Sequence, residues 1–296
     1  MGVIRFDLVS KAGKLRLLLI SLGISLLTMA SAAGQSVDAA QNLPQSQHPT
    51  AHQQPFLREF LKDEWDIWKS PFKKSSYSSH TVKKYVIPFT VLSGTLIATD
   101  TKTAALLPNT DDQRMWSGRV SQIGASYTLA SVSAGTYLLG KVTKNKHVQE
   151  TGLLSLHAFA HTQIVTFGVK QLTNRARPLS HEGTAGFWDG GNSFPSGHAS
   201  TTFAVATVFA YEYREHIAVP ILSYSVASVV AASRVSAQRH WVSDIVVGGS
   251  TGFLIGRYVY KRHHDPGLPG SKVTSSSPLV PEVAISATRL SLEWRF

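Results

Sequence analysis

The chain has 296 residues and no cysteine, and its 29 lysine and arginine residues outnumber its 18 aspartate and glutamate residues. This length suits one globular domain with appended segments, and the lack of cysteine excludes disulfides, thiolate nucleophiles and cysteine-ligated metal centres. The formal charge of +11 favours an anionic partner. Nucleic acid, anionic lipid and phosphorylated small molecules all remain open on this ground.

Residues 1–32 have the pattern of a secretory signal peptide. Basic residues precede an apolar stretch over 17–30, and Ala30-Ser31-Ala32 supplies the small residues that signal peptidase requires. An uncleaved anchor helix is the alternative. Residues 33–54 are rich in Gln, Ser, Pro and His and predict a flexible spacer.

Residues 55–79 predict an amphipathic helix followed by a connector. Between Phe56 and Trp68, apolar and aromatic residues recur at helical spacing opposite charged residues such as Lys62 and Asp63. Two interpretations stay open for the apolar face. It docks on the core of the protein, or it associates with the surface of a membrane.

Six apolar stretches, rich in Ala, Gly, Ser and Thr, predict the main fold. Small residues of this kind favour closely packed helices over strands. We therefore predict an all-α protein with a six-helix bundle over residues 80–262. Residues 263–296 predict a linker and a short strand in which apolar residues from Leu290 to Phe296 alternate with polar ones. The six stretches are 85–99, 120–140, 151–169, 199–211, 217–233 and 245–260.

Three short blocks contain residues suited to binding a phosphate group. Arginine offers a planar fork of donors to phosphate oxygens and lysine a compact charge, so converging cations neutralise a phosphate dianion. A Ser-Gly-His sequence before a helix adds a hydroxyl and free backbone N–H groups. The blocks run from Lys170 to Arg177-Pro178, from Pro195 to His198, and from Ser233-Arg234 through His240 to Asp244.

His240 and Asp244 lie four residues apart in the third block. We expect them to share one helical turn, with Asp244 accepting the Nδ1–H of His240 and leaving Nε2 free as a nucleophile or base. His157 and His161 have the same spacing, but no third ligand follows at useful spacing. They are therefore interpreted as packed histidines, and no metal is predicted.

In order and spacing, the three blocks resemble the signature of the type 2 phosphatidic acid phosphatase superfamily. That superfamily includes lipid phosphate phosphatases, bacterial non-specific acid phosphatases and vanadium haloperoxidases, and every residue of its signature is present here. The resemblance implies a six-helix core of the acid phosphatase/haloperoxidase type and a phosphatase that needs no cofactor. It also implies residue roles: His240 attacks phosphorus to form a phosphohistidine, Asp244 orients it, and His198 protonates the leaving oxygen. The implied phosphate-binding residues are Lys170, Arg177, Ser196, Gly197 and Arg234.

The sequence therefore predicts an exported enzyme that hydrolyses phosphomonoesters of lipids or small molecules. The apolar stretches are mostly short for a bilayer crossing, which favours a periplasmic enzyme, either free or membrane-associated. Basic residues on the face away from the blocks favour an integral membrane protein instead. Nucleic acid is not expected as a partner, and the substrate ester and the oligomeric state stay open.

Three alternative functions remain at this point. The first is an integral-membrane phosphatase of lipid phosphates or of an undecaprenyl-type pyrophosphate. The second is a vanadate-dependent haloperoxidase, because the signature residues are shared. The third is a non-catalytic phosphate-binding protein, against which the presence of His198, His240 and Asp244 argues, since binding alone needs only the cations.

Overall fold

The computed structural model describes residues 56–70, 73, 78–180, 185–268, 282–286 and 289–293. Three short helical segments connect the long helices that follow. They are a helical turn (Ser79–Thr81) and a π-helical segment (Val82–Val86) before Ile87, and a 3-10 turn (Gln122–Gly124) before Ser126. The long helices are α1 (Phe56–Lys69), α2 (Ile87–Ala105), α3 (Asp111–Ser121), α4 (Ser126–Val142), α5 (Lys146–Thr173), α6 (Gly197–Glu212), α7 (Ala218–Ser236) and α8 (Val242–His263). Strands β1 (Glu282–Ser286) and β2 (Arg289–Glu293) pair antiparallel.

Each of the six apolar stretches overlaps one of the helices α2 and α4 to α8. Helix α3 was not predicted, because its segment is polar and has no apolar period. Thr110 begins it as an N-cap, accepting a hydrogen bond from the backbone N–H of Gln113 at 3.2 Å. Strands β1 and β2 cover 282–286 and 289–293, where the sequence predicted one strand over 290–296. The predicted signal peptide and spacer lie outside the described residues.

Helices α6 and α8 pack closely at the centre of the bundle. Three glycines at four-residue intervals on α8 face the backbone at and after the start of α6, and a Cβ at any of them would collide with a carbonyl oxygen there. The glycines are Gly248, Gly252 and Gly256, and the carbonyls belong to Ser196, Ser200 and Ala204. This contact brings the N-termini of the two helices together, and the backbone N–H of Ser196 donates to the carbonyl of Asp244 at 3.0 Å.

The surrounding helices α2, α4, α5 and α7 expose a belt of large apolar side chains. They have 17 to 28 residues and so extend about 26 to 42 Å, against a hydrocarbon core of about 30 Å. Among the described residues, α7 alone is long and apolar enough to count as a membrane span by itself. A belt of this extent is typical of a surface that contacts lipid or protein. Its members include Val91, Leu92, Val132, Leu138, Leu139, Ile164, Phe167, Ile221, Leu222, Val226 and Val229.

Helix α1 docks on α5 and α8, and it does so partly through its acidic side chains. Asp63, which was predicted on the solvent face, is only 2% exposed. It accepts hydrogen bonds from Arg262 Nε at 3.1 Å and Tyr258 Oη at 3.2 Å, and it lies 2.5 Å from His263 Nε2. The predicted division of faces is therefore wrong at Asp63, because the end of α8 supplies cationic partners that no helical period reveals.

Other residues of α1 divide between the bundle and the exterior. Phe60 stacks on His161 with ring centroids 4.2 Å apart, and His161 Nδ1 lies 2.6 Å from a carboxylate oxygen of Glu64. Leu57, Leu61 and Trp65 are 57–64% exposed and form a stripe at four-residue spacing. One face of the helix therefore docks on the bundle, as the first interpretation expects, while the apolar stripe is exposed in the described part of the chain and the second interpretation stays a prediction.

Replacing Asp63 by asparagine should destabilise the docked helix by about 1–3 kcal/mol, because hydrogen bonds to a buried charge are lost. Although burial raises the pKa of Asp63, the contacts with His263 and Arg262 lower it below 3.8 overall. The stabilisation should thus be fully present above pH 3.8 and be lost as the pH falls through the lowered value. Thermal unfolding at pH 7 checks this, with the exposed Glu59→Gln on the same helix as control. Equal melting temperatures for the two variants would contradict it.

Candidate active site

The three sequence blocks meet at one end of the bundle. Lys170 lies in the last turn of α5, Arg234 near the end of α7, and His198 in the first turn of α6. Asp244 lies in the first turn of α8, and Arg177 follows α5 in the loop that leads to α6. The alternating direction of the helices therefore brings residues separated by up to 74 positions, from Lys170 to Asp244, to the same site.

His240 is held by a backbone carbonyl rather than by the aspartate expected. Its Nδ1 lies 2.8 Å from the carbonyl oxygen of Ser193 and 3.5 Å from Asp244 Oδ2. A carbonyl can only accept, so Nδ1 carries the proton and the lone pair is on Nε2. The expectation of one shared helical turn is wrong. His240 precedes α8, whose N-cap is Trp241, and Asp244 uses Oδ2 to accept the Trp241 N–H at 2.9 Å.

The carboxylate of Asp244 is fully buried and has hydrogen-bond donors on both oxygens. Ser193 Oγ donates to Oδ2 at 2.5 Å, and Arg175 Nη1 donates to Oδ1 at 2.6 Å. Ser193 thus contacts both members of the pair, since its carbonyl orients His240 and its hydroxyl binds Asp244. This fixes both side chains without a direct short hydrogen bond between them.

Arg175 is a buried residue of the site that the sequence analysis did not single out. Its guanidinium is 0% exposed and bridges two carboxylates, Asp244 and Asp100, the latter at 2.8 Å from Nη2. Ser243 Oγ also binds the guanidinium at 2.7 Å. The ring of Phe187 lies 4.5 Å from it, so the group is enclosed as well as paired. The triad Asp100–Arg175–Asp244 joins α2 to the start of α8 under the site.

The cations of the three blocks keep unpaired donors. Lys170 Nζ donates to the carbonyl of Asn192 at 2.5 Å, and Arg234 Nη1 donates to Ser121 Oγ at 2.9 Å. The Nε–H groups of Arg177 and Arg234 are both buried and have no hydrogen-bond partner in the described structure. A buried donor without a partner costs about 1–3 kcal/mol. An anion with several oxygens would satisfy these donors.

The charges of these cations act on both histidines. Lys170, Arg177 and Arg234 all act on His198, and Lys170 and Arg234 act on His240. Burial, together with these cations, lowers the pKa of His240 to about 3, even though Asp244 opposes the shift. His240 is therefore neutral at physiological pH, as a nitrogen nucleophile must be.

The N-terminus of α6 borders the same space. Ser196 is buried and caps the helix, with Oγ accepting from the Ala199 N–H at 3.5 Å. A Cβ built on Gly197 would lie 3.9 Å from Cε of Lys170, so the first turn of α6 faces that lysine. Backbone N–H groups at a helix start and a lysine beside them favour a bound anion. The structure thus brings together all eight residues predicted for the site.

Arg239 is a further cation near the site that was not singled out. It is exposed and lies in the turn before His240. Burial and the charge of Arg239 both lower the pKa of Arg177. Its position directly before a block residue was the available signal.

Part of the chain is similar to known proteins. Residues 151–267 match the family model described as the PAP2 superfamily. A protein named lipid A 1-phosphatase from Porphyromonas gingivalis is 41% identical over 87 residues, covering 29% of this chain and 18% of that protein. Phosphatidylglycerophosphatase B from Bacillus subtilis is 34% identical over 118 residues, covering 35% of this chain and 54% of that protein.

Two further proteins are similar over part of the chain. A protein from Schizosaccharomyces pombe named probable diacylglycerol pyrophosphate phosphatase 1 is 36% identical over 90 residues, covering 26% of this chain and 32% of that protein. The crystal structure of a transmembrane PAP2-type phosphatidylglycerolphosphate phosphatase from Bacillus subtilis superposes with a TM-score of 0.47 at 24% identity. It covers 60% of this chain and 94% of that chain. The chain spans about half or less of the length of the curated relatives it matches.

Proposed function

Because residues 151–267 match the family model described as the PAP2 superfamily, we propose that this protein is a phosphatase that hydrolyses phosphomonoesters of membrane lipids through a phosphohistidine. Two observations carry the proposal: the buried Nε–H donors of Arg177 and Arg234 have no partner among the described residues, and His240 keeps the lone pair of Nε2. A phosphate monoester fits these groups, because its oxygens pair with the donors while its phosphorus faces a nitrogen nucleophile.

The proposed reaction has two steps. In the first, Nε2 of His240 forms a bond to phosphorus and the phosphorus–oxygen bond to the lipid breaks. His198, in the imidazolium form that the negative charge of the bound phosphate favours, gives its proton to the leaving oxygen. In the second, water attacks the phosphohistidine and loses a proton to His198, which releases inorganic phosphate and restores both histidines. Asp244, held by Arg175 and Ser193, stabilises the positive charge that develops on His240.

Cations provide the charge stabilisation in this scheme. Lys170, Arg177 and Arg234 surround the transferred group, and the N–H groups of the first turn of α6 at Ser196 and Gly197 add donors. Their charge opposes the charge that accumulates on the phosphoryl oxygens in the transition state. Such a site performs without a divalent ion what a metal performs in other phosphatases.

The position of the site on the bundle supports a lipid substrate. Arg234 is in the last turn of α7, the described helix that is long and apolar enough to cross a membrane, so a bilayer around the apolar belt would have the phosphate site at headgroup depth. The names of the similar proteins refer to lipid A, phosphatidylglycerophosphate and diacylglycerol pyrophosphate, which agrees with a phosphorylated lipid.

Basic residues at the other end of the bundle give the proposed orientation. The positive-inside rule places that end in the cytoplasm and the phosphate site on the outer, periplasmic side. Export directed by residues 1–32 opposes this orientation, because α2 of the predicted 80–262 phosphatase domain begins at the basic end, and a segment exported with residue 33 would put that end outside. The basic residues are Lys141, Lys144, Lys146, Arg214, Lys261 and Arg262.

Phosphate release by the full chain in detergent tests the proposal. We expect a higher kcat/KM for phosphatidic acid in mixed micelles than for p-nitrophenyl phosphate, in assays that contain EDTA. Arg234→Met should lower both values about 10²- to 10³-fold, whereas Lys141→Met at the opposite end should leave them unchanged. Equal rates on both substrates would favour a non-specific acid phosphatase. No release from either substrate would overturn the proposed function.

A further inference from the structure

A second cluster of ionisable side chains lies at the end of the bundle opposite the phosphate site. His147 and Glu150 are in the first turns of α5, Glu212 is the last residue of α6, and His264 follows α8 directly. Gly197 and Glu212, the first and last residues of α6, are about 22 Å apart along the helix axis. The cluster is therefore remote from the reaction proposed above and does not take part in it.

The spacing of the potential ligand atoms suits a small cation. One ligand atom each from Glu150, Glu212 and His264 lies within 4.8 Å of the other two. His264 Nδ1 lies 3.2 Å from Glu212 Oε1 and 3.5 Å from Glu150 Oε1. A tetrahedral zinc ion bound at 2.0–2.1 Å requires ligand atoms about 3.3 Å apart. The two separations that involve His264 bracket that value.

The cluster is buried and has a spare acceptor. The side chain of Glu212 is 0% exposed, and those of His264 and Glu150 are 7% and 11% exposed. One oxygen of Glu150 accepts the backbone N–H of Asp265 at 2.6 Å, but the other, Oε2, is buried with no hydrogen-bond partner among the described residues. A buried carboxylate oxygen without a donor is unfavourable, and a cation would satisfy it.

Neighbouring residues hold the potential ligands in place. His147 Nε2 lies 2.9 Å from Oε2 of Glu212, the oxygen that does not face His264. The ring of Tyr260 stacks on His264 at 4.4 Å, and the ring of Tyr213 lies 4.6 Å from that of His147. Contacts of this kind fix ligand orientation around metal centres.

We propose that Glu150, Glu212 and His264 bind a divalent transition-metal ion of the zinc class, with a water as its fourth ligand and His147 positioning Glu212. Carboxylate oxygen and imidazole nitrogen are ligands that zinc binds well, and the two carboxylates neutralise its charge. The ion would cross-link the ends of α5, α6 and α8 that lie farthest from the phosphate site.

Metal binding by the full chain in detergent tests this inference. The protein, freed of any affinity tag, is treated with a chelator, desalted, incubated with ZnCl₂ and desalted again before its metal content is measured. We expect about one zinc per chain, since three protein ligands converge on one position. With Co²⁺ as the probe, we expect the visible absorption bands of a tetrahedral ion. Zinc should also raise the melting temperature of the chelated protein.

Matched variants separate this site from adventitious binding. His264→Gln and Glu150→Gln should lose the bound zinc, the Co²⁺ bands and the rise in melting temperature. His216→Gln and Glu215→Gln, which replace exposed residues at the same end of the molecule, should keep all three. Folding of each variant is checked by its activity on phosphatidic acid. The inference is overturned if the wild type binds no zinc, which leaves the cluster as an ion-pair network, or if all four variants bind as much as the wild type.

Discussion

Replacement of His240 by glycine should lower phosphate release from lipid phosphates by at least about 10³-fold, because the proposed nucleophile is lost. The wild-type enzyme, quenched in alkali during turnover of a ³²P-labelled lipid phosphate, should carry label that is stable in base and labile in acid, as a phosphohistidine is. His240→Gly should carry none. The geometry favours this outcome, since the Ser193 carbonyl holds Nδ1 in its protonated form and leaves the Nε2 lone pair free.

Chemical rescue distinguishes loss of a nucleophile from loss of the fold. His240 is 3% exposed and packed in the site, so its removal leaves a cavity that free imidazole can enter. Added imidazole should restore part of the activity of His240→Gly, while His216→Gly, an exposed substitution, should behave as the wild type with or without imidazole. Labelled His240→Gly, or a variant with unchanged activity, would disprove the phosphohistidine route.

The residues of the three blocks could be predicted from sequence because each block is local. Lys170 and Arg177 are seven residues apart, and His240 and Asp244 are four apart, so spacing alone groups them. The helices that carry them were predicted from their apolar stretches for a similar reason, since burial imposes a period on neighbouring positions. Helix α3 could not be predicted from an apolar period, because it depends on an N-cap at Thr110 and has few buried side chains.

The Asp100–Arg175–Asp244 triad beneath the site could not be predicted in the same way. Arg175 lies two positions before a block arginine and resembles one more surface cation, and its partner Asp100 is 75 residues away on another helix. One signal was present, however. Asp100 ends an apolar run in α2, and an acidic residue at such a position requires a buried partner. Which cation pairs with it depends on the packing of α2 against α8, which no local pattern encodes.

Replacement of Arg175 by methionine should destabilise the protein by about 3–5 kcal/mol, the usual result of removing one partner from a buried ionic network. The substitution leaves Asp100 and Asp244 as two uncompensated carboxylates with 0% exposed side chains. Activity should fall as well, because Asp244 loses the donor that fixes its Oδ1. Thermal unfolding followed by tryptophan fluorescence in detergent, together with kcat and KM on phosphatidic acid, measures both effects.

A double-mutant cycle tests whether unpaired carboxylates cause the loss of stability in Arg175→Met. Asp100→Asn removes one of the two stranded charges, so the combination of Arg175→Met with Asp100→Asn should be more stable than Arg175→Met alone. Arg177→Met is the matched control, since Arg177 is a cation two positions away with an unpartnered Nε rather than a buried carboxylate pair. It should raise KM with little change in melting temperature. The triad does not support the site if Arg175→Met has the same melting temperature as the wild type. The same conclusion holds if adding Asp100→Asn lowers the stability of Arg175→Met further.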